Sequence, residues 1–307
     1  MRSILIFFLS LMTYSTIFAD GLDKTKTYTV AFAQDTLAND YRLNQMLETK
    51  KALSKYPNIR FIYSDAKTSS SIQVQQIEDF ISMNVDLLIV SPFNDEATKN
   101  VIVKAYESNI PVILIERKVP GDKFTSYIHP DDKKIAKEAA EYIFKKINYK
   151  GTILLLKGVP KNDVEKARTD GFFKVANRYP DVKVIERTAN YLRRDAIIEL
   201  DKLLSSGKSF DAIMSQSDSM LVGARMALKR YNIDPSSIIT VGIDYIKEAQ
   251  EAIQKGEQNS SFIYSLGAKK SAEIAIRILS GESVEKEIKL ETLQITKENV
   301  DNVKPIF

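Results

Sequence analysis

An acid and a base stand side by side at Glu116-Arg117, directly after the apolar run Pro111-Val112-Ile113-Leu114-Ile115. Charges at the end of such a run are costly to desolvate unless something pairs with them. The arrangement recurs along the chain. Lys157-Gly158 follows an apolar run ending at Leu156, Arg168 comes about a turn into the next amphipathic stretch, and Tyr191 follows the run that ends at Arg187. Ser217-Asp218 and Asp244 follow two further runs, Tyr41 closes the polar stretch that begins at Gln34, and Phe93 lies in Ser91-Pro92-Phe93-Asn94. Carboxylates, guanidinium groups and aromatic rings gathered in this way suit a small polyhydroxylated molecule. Each hydroxyl donates and accepts, and hydrogen bonds to charged partners are about twice as strong as neutral ones. The rings of Tyr41, Phe93 and Tyr191 can cover the apolar C–H face of a sugar.

Other chemistries compete for the same residues. Lys157 at a strand end can form a Schiff base with a carbonyl, and Glu116 with Asp244 can serve as the acid and nucleophile of a glycosidase. In the plainer reading Glu116-Arg117 is a loop ion pair, and Ser217 or Asp218 caps a helix. The 307 residues include no Cys and one His, which excludes disulfides, thiolate nucleophiles and Cys-ligated metals and makes a His-rich metal site improbable. Neither a phosphate-cradling Gly-rich loop nor a metal-ligand cluster is visible, so no cofactor and no metal are expected. Lys and Arg total 44 against 40 acidic residues, and this net +4 is spread along the chain without a nucleic-acid stripe.

These residues need a frame that brings them together. Short, continuously apolar β-rich runs alternate with amphipathic stretches of ten to eighteen residues or so, the pattern of parallel strands covered by helices on both faces. Strands are predicted at 28–33, 60–64, 86–90, 112–115, 127–128, 152–156, 182–187, 212–215, 239–243 and 261–264. Helices are predicted at 40–55, 70–83, 95–107, 131–147, 163–179, 193–206, 219–231, 246–255 and 267–279. A closed eight-stranded barrel and open doubly wound sheets both satisfy the pattern, and both place working residues after the carboxyl ends of strands.

The N-terminus differs in kind. Arg2, an apolar run from Ile4 to Met12 and Ile17-Phe18-Ala19 before Asp20 have the layout of a secretory signal cleaved after Ala19. The run is short of the roughly 20 residues that span a bilayer, and without a Cys there is no lipid anchor. The expectation is a protein exported to the periplasm, with no helix-turn-helix module ahead of the first strand.

Five segments in order carry a family likeness: Gln76 to Ile81 leading to Val85 to Pro92, Ile110 to Arg117, Arg168-Thr169-Asp170-Gly171-Phe172, Gln216 to Met220, and Val241-Gly242-Ile243-Asp244. In these the chain resembles the type I periplasmic sugar-binding proteins, especially the ribose- and galactofuranose-binding proteins of ABC transporters, over almost its whole length after the leader. The resemblance implies an α/β fold of two doubly wound parallel-sheet domains joined by a three-strand hinge. One lobe would hold residues 20–129 and 265–290, the other 130–264 and 291–307, behind a signal peptide at 1–19. It implies a monomeric binding protein and not an enzyme, which closes on a sugar or related polyol. The closed form would be presented to a membrane permease or, alternatively, to a sensor kinase or chemoreceptor ectodomain.

By resemblance, Glu116 and Arg117 match the family's acid–arginine pair and Arg168 its second-domain arginine. Tyr41 and Tyr191 match rings that sandwich the sugar, Ser217 a position commonly Asn, Asp244 an aspartate and Tyr264 a hinge position often Gln. Glu116 is longer than the usual Asp, Ser217 shorter than Asn and Tyr264 bulkier than an amide, so the pocket is not expected to be ribose-shaped. His129, near the first crossing, is expected to be structural.

Overall fold

The computed structural model describes residues 21–93 and 95–307; the expected signal sequence lies outside them. In chain order the elements are β1 (Tyr28–Gln34), α1 (Asp40–Leu53), β2 (Ile59–Asp65), α2 (Ser70–Ser82), β3 (Leu87–Val90), α3 (Asp95–Glu107), β4 (Val112–Ile115), β5 (Ser126–Pro130), α4 (Asp132–Lys146), β6 (Gly151–Lys157) and α5 (Asp163–Ala176). They continue with β7 (Val182–Thr188), α6 (Arg193–Ser205), β8 (Ala212–Ser215), α7 (Asp218–Arg230), β9 (Ile239–Val241), α8 (Lys247–Lys255), β10 (Ser260–Phe262), α9 (Ala268–Leu279), β11 (Glu287–Leu290) and β12 (Gln294–Thr296).

The strands form two open six-stranded sheets, β11-β5-β4-β3-β1-β2 and β12-β10-β9-β8-β6-β7, so the barrel alternative is excluded. All pairings between the named strands are parallel except β10 with β12, where Ser260 faces Thr296 in an antiparallel edge. The chain passes from the first sheet to the second after β5, returns to a strand of the first at β11, and crosses again to reach β12. Neither β11 nor β12 is among the predicted strands. Both are short edge strands, and in Glu-Ile-Lys-Leu the solvent-facing positions are charged, so no continuous apolar run marks them.

Strand alternation sorts the core. In the first sheet Ala31, Leu88 and Leu114 face one way, toward Ile77, Phe80 and Ile102, while Val30, Phe32, Ile89 and Ile113 face the other, toward Met46, Leu53 and Ile276. In the second, Ile153, Leu155 and Met214 meet Ile135, Ile143 and Phe172 on one face, and Leu154, Leu156 and Ile213 meet Leu200, Leu221 and Leu228 on the other. Two-sided burial is why the inner strands β3, β4 and β8 carry apolar residues at nearly every position. The edge strands β2 and β7 are only half-buried and more polar. Gly171 lets α5 approach α4: a Cβ there would lie 2.4 Å from the carbonyl oxygen of Lys133.

A charged cavity between the two sheets

Helices that follow strand carboxyl ends are capped there, which fixes the loops between them. Asn39 accepts from the N–H of Arg42, Asn162 from those of Val164 and Glu165, and Ser217 from that of Met220. Among the residues with left-handed backbone past the strand ends are Glu116 at φ 66°, Tyr191 at 61° and Asp244 at 119°. L-residues adopt that region at a cost, and a cost held in place at strand ends is typical of positions where side-chain direction matters.

The strand ends of the two sheets face one another across a narrow cavity. From the first sheet come Asn39, Tyr41, Arg42, Glu116 and Arg117; from the second come Arg168, Tyr191, Ser217, Ser219, Asp244 and, in the segment after β10, Tyr264. Eight of the residues singled out in the sequence are thus brought together. Phe93 is not: it does not line the cavity. The chain after β3 is held by Arg42, which donates from Nη1 to Ser91 Oγ at 2.8 Å, and by Arg117, which donates to the Pro92 carbonyl at 3.1 Å. The Phe93 N–H donates to Gln73 Oε1, and its side chain is half-buried outside the wall.

Every arginine of the wall is buried and paired. Arg42 forms ion pairs with Asp35 at 3.2 Å and with Glu116, and Arg117 pairs with Asp35 at 2.6 Å. Arg168 donates from Nε to Asp132 Oδ1 at 2.8 Å and from Nη1 to the carbonyl of Gln216. Its guanidinium lies 4.3 Å from the centre of the Tyr264 ring and 5.9 Å from that of Tyr191. Tyr41 stands 5.6 Å from Tyr264, ring centre to ring centre, and its hydroxyl donates to the carbonyl of Ser265. Three buried polar atoms of the wall have no hydrogen-bond partner: Glu116 Oε2, which is held in the ion pair with Arg42, Arg117 Nε and the Tyr191 hydroxyl.

Burial dominates the proton equilibria. It drives the Asp244 carboxyl well above its usual range even though Arg168 pulls the other way, and it raises the Tyr191 phenol. Asp132 is pushed up to about 7 by burial, against the attraction of Arg168. A protonated Asp244 both donates and accepts, as does a hydroxyl.

Lys157 stands apart from the cavity. Its ammonium pairs with Glu165 at 3.0 Å and Glu186 at 3.1 Å. Burial opposes its charge, but those two carboxylates prevail and raise its pKa, the reverse of what a Schiff-base lysine needs. Ser217 does both jobs considered for it, capping α7 and lining the wall. His129 lies outside the wall, stacked on Tyr127 at 4.1 Å with Nε2 3.0 Å from Glu287. Among the described residues no group of side chains is arranged to hold a metal ion, and no helix is long and apolar enough to cross a membrane.

Sequence reasoning missed Asp35, Arg42 and Asp132. The first two sit in the polar stretch that Tyr41 was taken from, where an arginine and an acid seven residues apart give no periodic signal. Asp132 follows Asp131, which falls in the predicted helix and caps α4 in the structure by accepting from the N–H of Lys134.

Comparison with known proteins gives a consistent picture. The chain is 27% identical over 290 residues to the xylitol-binding protein of Mycolicibacterium smegmatis, covering 89% of this chain and 82% of that protein. It is 27% identical over 273 residues to the ribose import binding protein of Bacillus subtilis, covering 87% and 88%. Among solved structures, the fructose-binding periplasmic domain of a hybrid two-component system superposes with a TM-score of 0.83 at 28% identity, covering 89% of this chain and 92% of that one. These relatives are binding proteins. The pattern that defines the periplasmic binding protein domain runs through residues 30–283, most of the chain and both sheets, and the chain belongs to that family.

Proposed function

We propose that this protein binds a small, uncharged, polyhydroxylated molecule of the monosaccharide or sugar-alcohol class between its two lobes, and delivers it outside the cytoplasmic membrane to an ABC importer. The observation that carries this is the composition of a wall shared by both sheets. Three guanidinium groups, Arg42, Arg117 and Arg168, are matched by Asp35, Glu116 and Asp132, so the wall needs no charge from its guest. Hydrogen-bonding capacity is left over at Arg117 Nε and the Tyr191 hydroxyl, beside the rings of Tyr41 and Tyr264. A ligand touching both halves favours their closed arrangement by its differential affinity for it, with the three interlobe crossings as hinge. With its cavity carboxylates tied to arginines or protonated, the site is read as one of binding, not of turnover. Relatives named for xylitol and ribose import support the ligand class and the transport role.

The relative that serves a hybrid two-component system favours one second reading, in which the closed form reports to a sensor kinase. Native mass spectrometry of the purified protein, followed by a thermal-shift screen with D-ribose, xylitol, D-fructose and myo-inositol, tests the proposal. A retained neutral mass, or a melting point that climbs with the concentration of one of these, is expected. No shift with any of them and turnover of a glycoside would reject it. Co-purification of the liganded protein with a permease or with a receptor ectodomain separates the two outputs.

A further inference from the structure

Asp132 occupies the first turn of α4, where the chain has just crossed from the first sheet to the second, and it is 7% exposed. Its two carboxylate oxygens serve two different elements. Oδ1 accepts from Arg168 Nε on α5 at 2.8 Å, and Oδ2 accepts from the Tyr264 hydroxyl, in the segment after β10, at 3.2 Å. Arg168 is then fully directed: Nε goes to Asp132, Nη1 goes to the carbonyl of Gln216, and its plane lies over the Tyr264 ring. Nη2 is committed to no hydrogen bond among the described residues. The close approach of α4 to α5 at Gly171 sets the distance between Asp132 and Arg168 through backbone.

We infer that Asp132 is a positioning residue for ligand recognition: through one carboxylate it fixes the direction in which Arg168 Nη2 and the Tyr264 ring meet the ligand. The inference rests on the binding function proposed above. Asp132 does not line the ligand cavity; it borders a second, wider one on the flank of the crossing strands, shared with Lys118, His129 and Asp163. The Asp132 carboxyl thus has a flank apart from the ligand cavity from which it can be protonated. The groups that face it are Arg168 and Asp163 from α5, Tyr264, Glu116 at the end of β4, and His129 paired with Glu287 from β5 and β11. Burial raises its pKa toward neutrality, so acidification withdraws the charge that holds Arg168.

The test uses the mature full-length protein with ¹⁵N-labelled arginine, wild type and the variants Asp132→Ala, Asp132→Asn, Arg168→Ala and the Asp132→Ala/Arg168→Ala double. The titrants are D-ribose, xylitol, D-fructose and myo-inositol at pH 6 and pH 8. Asp132→Ala is expected to weaken binding at least tenfold, the double variant to bind no worse than Arg168→Ala alone, and wild-type affinity to fall on acidification. Asp132→Asn is expected to keep part of the affinity and to lose that pH dependence. Full wild-type affinity in Asp132→Ala, or fully additive losses, would overturn the inference. Should Asp132→Ala fail to fold, Asp132→Asn decides by its pH profile, an unchanged dependence counting against the inference.

A ligand-free measurement runs beside it. The Arg168 Nε–H resonance is expected to exchange slowly with water in the wild type and fast in Asp132→Asn at pH 8, and equal exchange in the two would overturn the positioning role. If none of the titrants binds the wild type, the proposed function loses its support, while the exchange measurement still decides whether Asp132 holds Arg168.

Discussion

The hydroxyl of Tyr191 is buried in the cavity wall and meets no protein partner, and Gly158 makes the room its ring occupies: a Cβ at 158 would sit 1.9 Å from the Tyr191 Cζ. A buried hydroxyl without a partner costs the empty protein about 1–3 kcal/mol, and a ligand hydroxyl that supplies the partner recovers part of it. Tyr191→Phe is therefore expected to raise the melting temperature of the empty protein while weakening sugar binding two- to tenfold, read by calorimetry beside a thermal melt. Loss of stability without loss of affinity would show the hydroxyl to be structural. The residue scale was also where the sequence was most informative and most incomplete. Glu116, Arg117, Arg168 and Asp244 were legible because each stands just past an apolar run or just inside the helix after one. Asp132 was not, because an acid at a helix start is ordinary and its partners lie 36 and 132 residues away. Phe93 was misplaced for a related reason: type and position after a strand do not say which way a loop turns once Arg42 and Arg117 hold its neighbours.

Elements were readable to the extent that their environment was uniform. The strands buried on both faces declared themselves by unbroken apolar runs, and the helices between them by amphipathic spacing and by polar caps. The last two strands, at opposite sheet edges and three or four residues long, carry neither sign. Helix packing adds a constraint that a sequence shows only as a glycine. At Gly171 the space for a methyl group is taken by the backbone of α4, which cannot rotate aside. Gly171→Ala is expected to destabilise the protein by about 1–3 kcal/mol, seen as a lower denaturant midpoint with an unchanged slope. Because α5 carries Arg168, the same change is expected to weaken ligand binding. A stability equal to wild type would mean that α4 and α5 are not held as closely as described.

At the scale of the whole molecule, several carboxyl groups are buried with their protons held more tightly than in water. Burial raises Asp132 to about 7, and Asp163 and Asp218 to about 6 each. Unfolded aspartates titrate near roughly 3.9. Between those values the folded state retains protons that the unfolded chain releases, so stability is greatest at the acidic end of the window and falls as pH rises toward 7, by up to about 1.4 kcal/mol per group per pH unit. Thermal melts from pH 4.5 to pH 8 are expected to show the melting temperature declining across that range, and a rise would contradict the burial of these groups. At the rim of the cavity Arg193, on α6, reaches Asp40 on α1 at 2.6 Å and Glu248 on α8 at 2.7 Å, a bridge that would support the proposed closure. All three are partly exposed, so they contribute at most about 1 kcal/mol and leave the decision to the ligand.

The most direct measurement is calorimetric titration of wild-type protein and of Arg168→Ala with D-ribose, xylitol, D-fructose and myo-inositol at pH 7.5. Saturable binding of at least one of them at one site per chain, weakened in Arg168→Ala by about 2 kcal/mol or more as a buried charged partner is lost, is the result expected. Binding of equal strength in the two proteins, or no heat from any of the four, would contradict a sugar or polyol held in the charged cavity between the sheets.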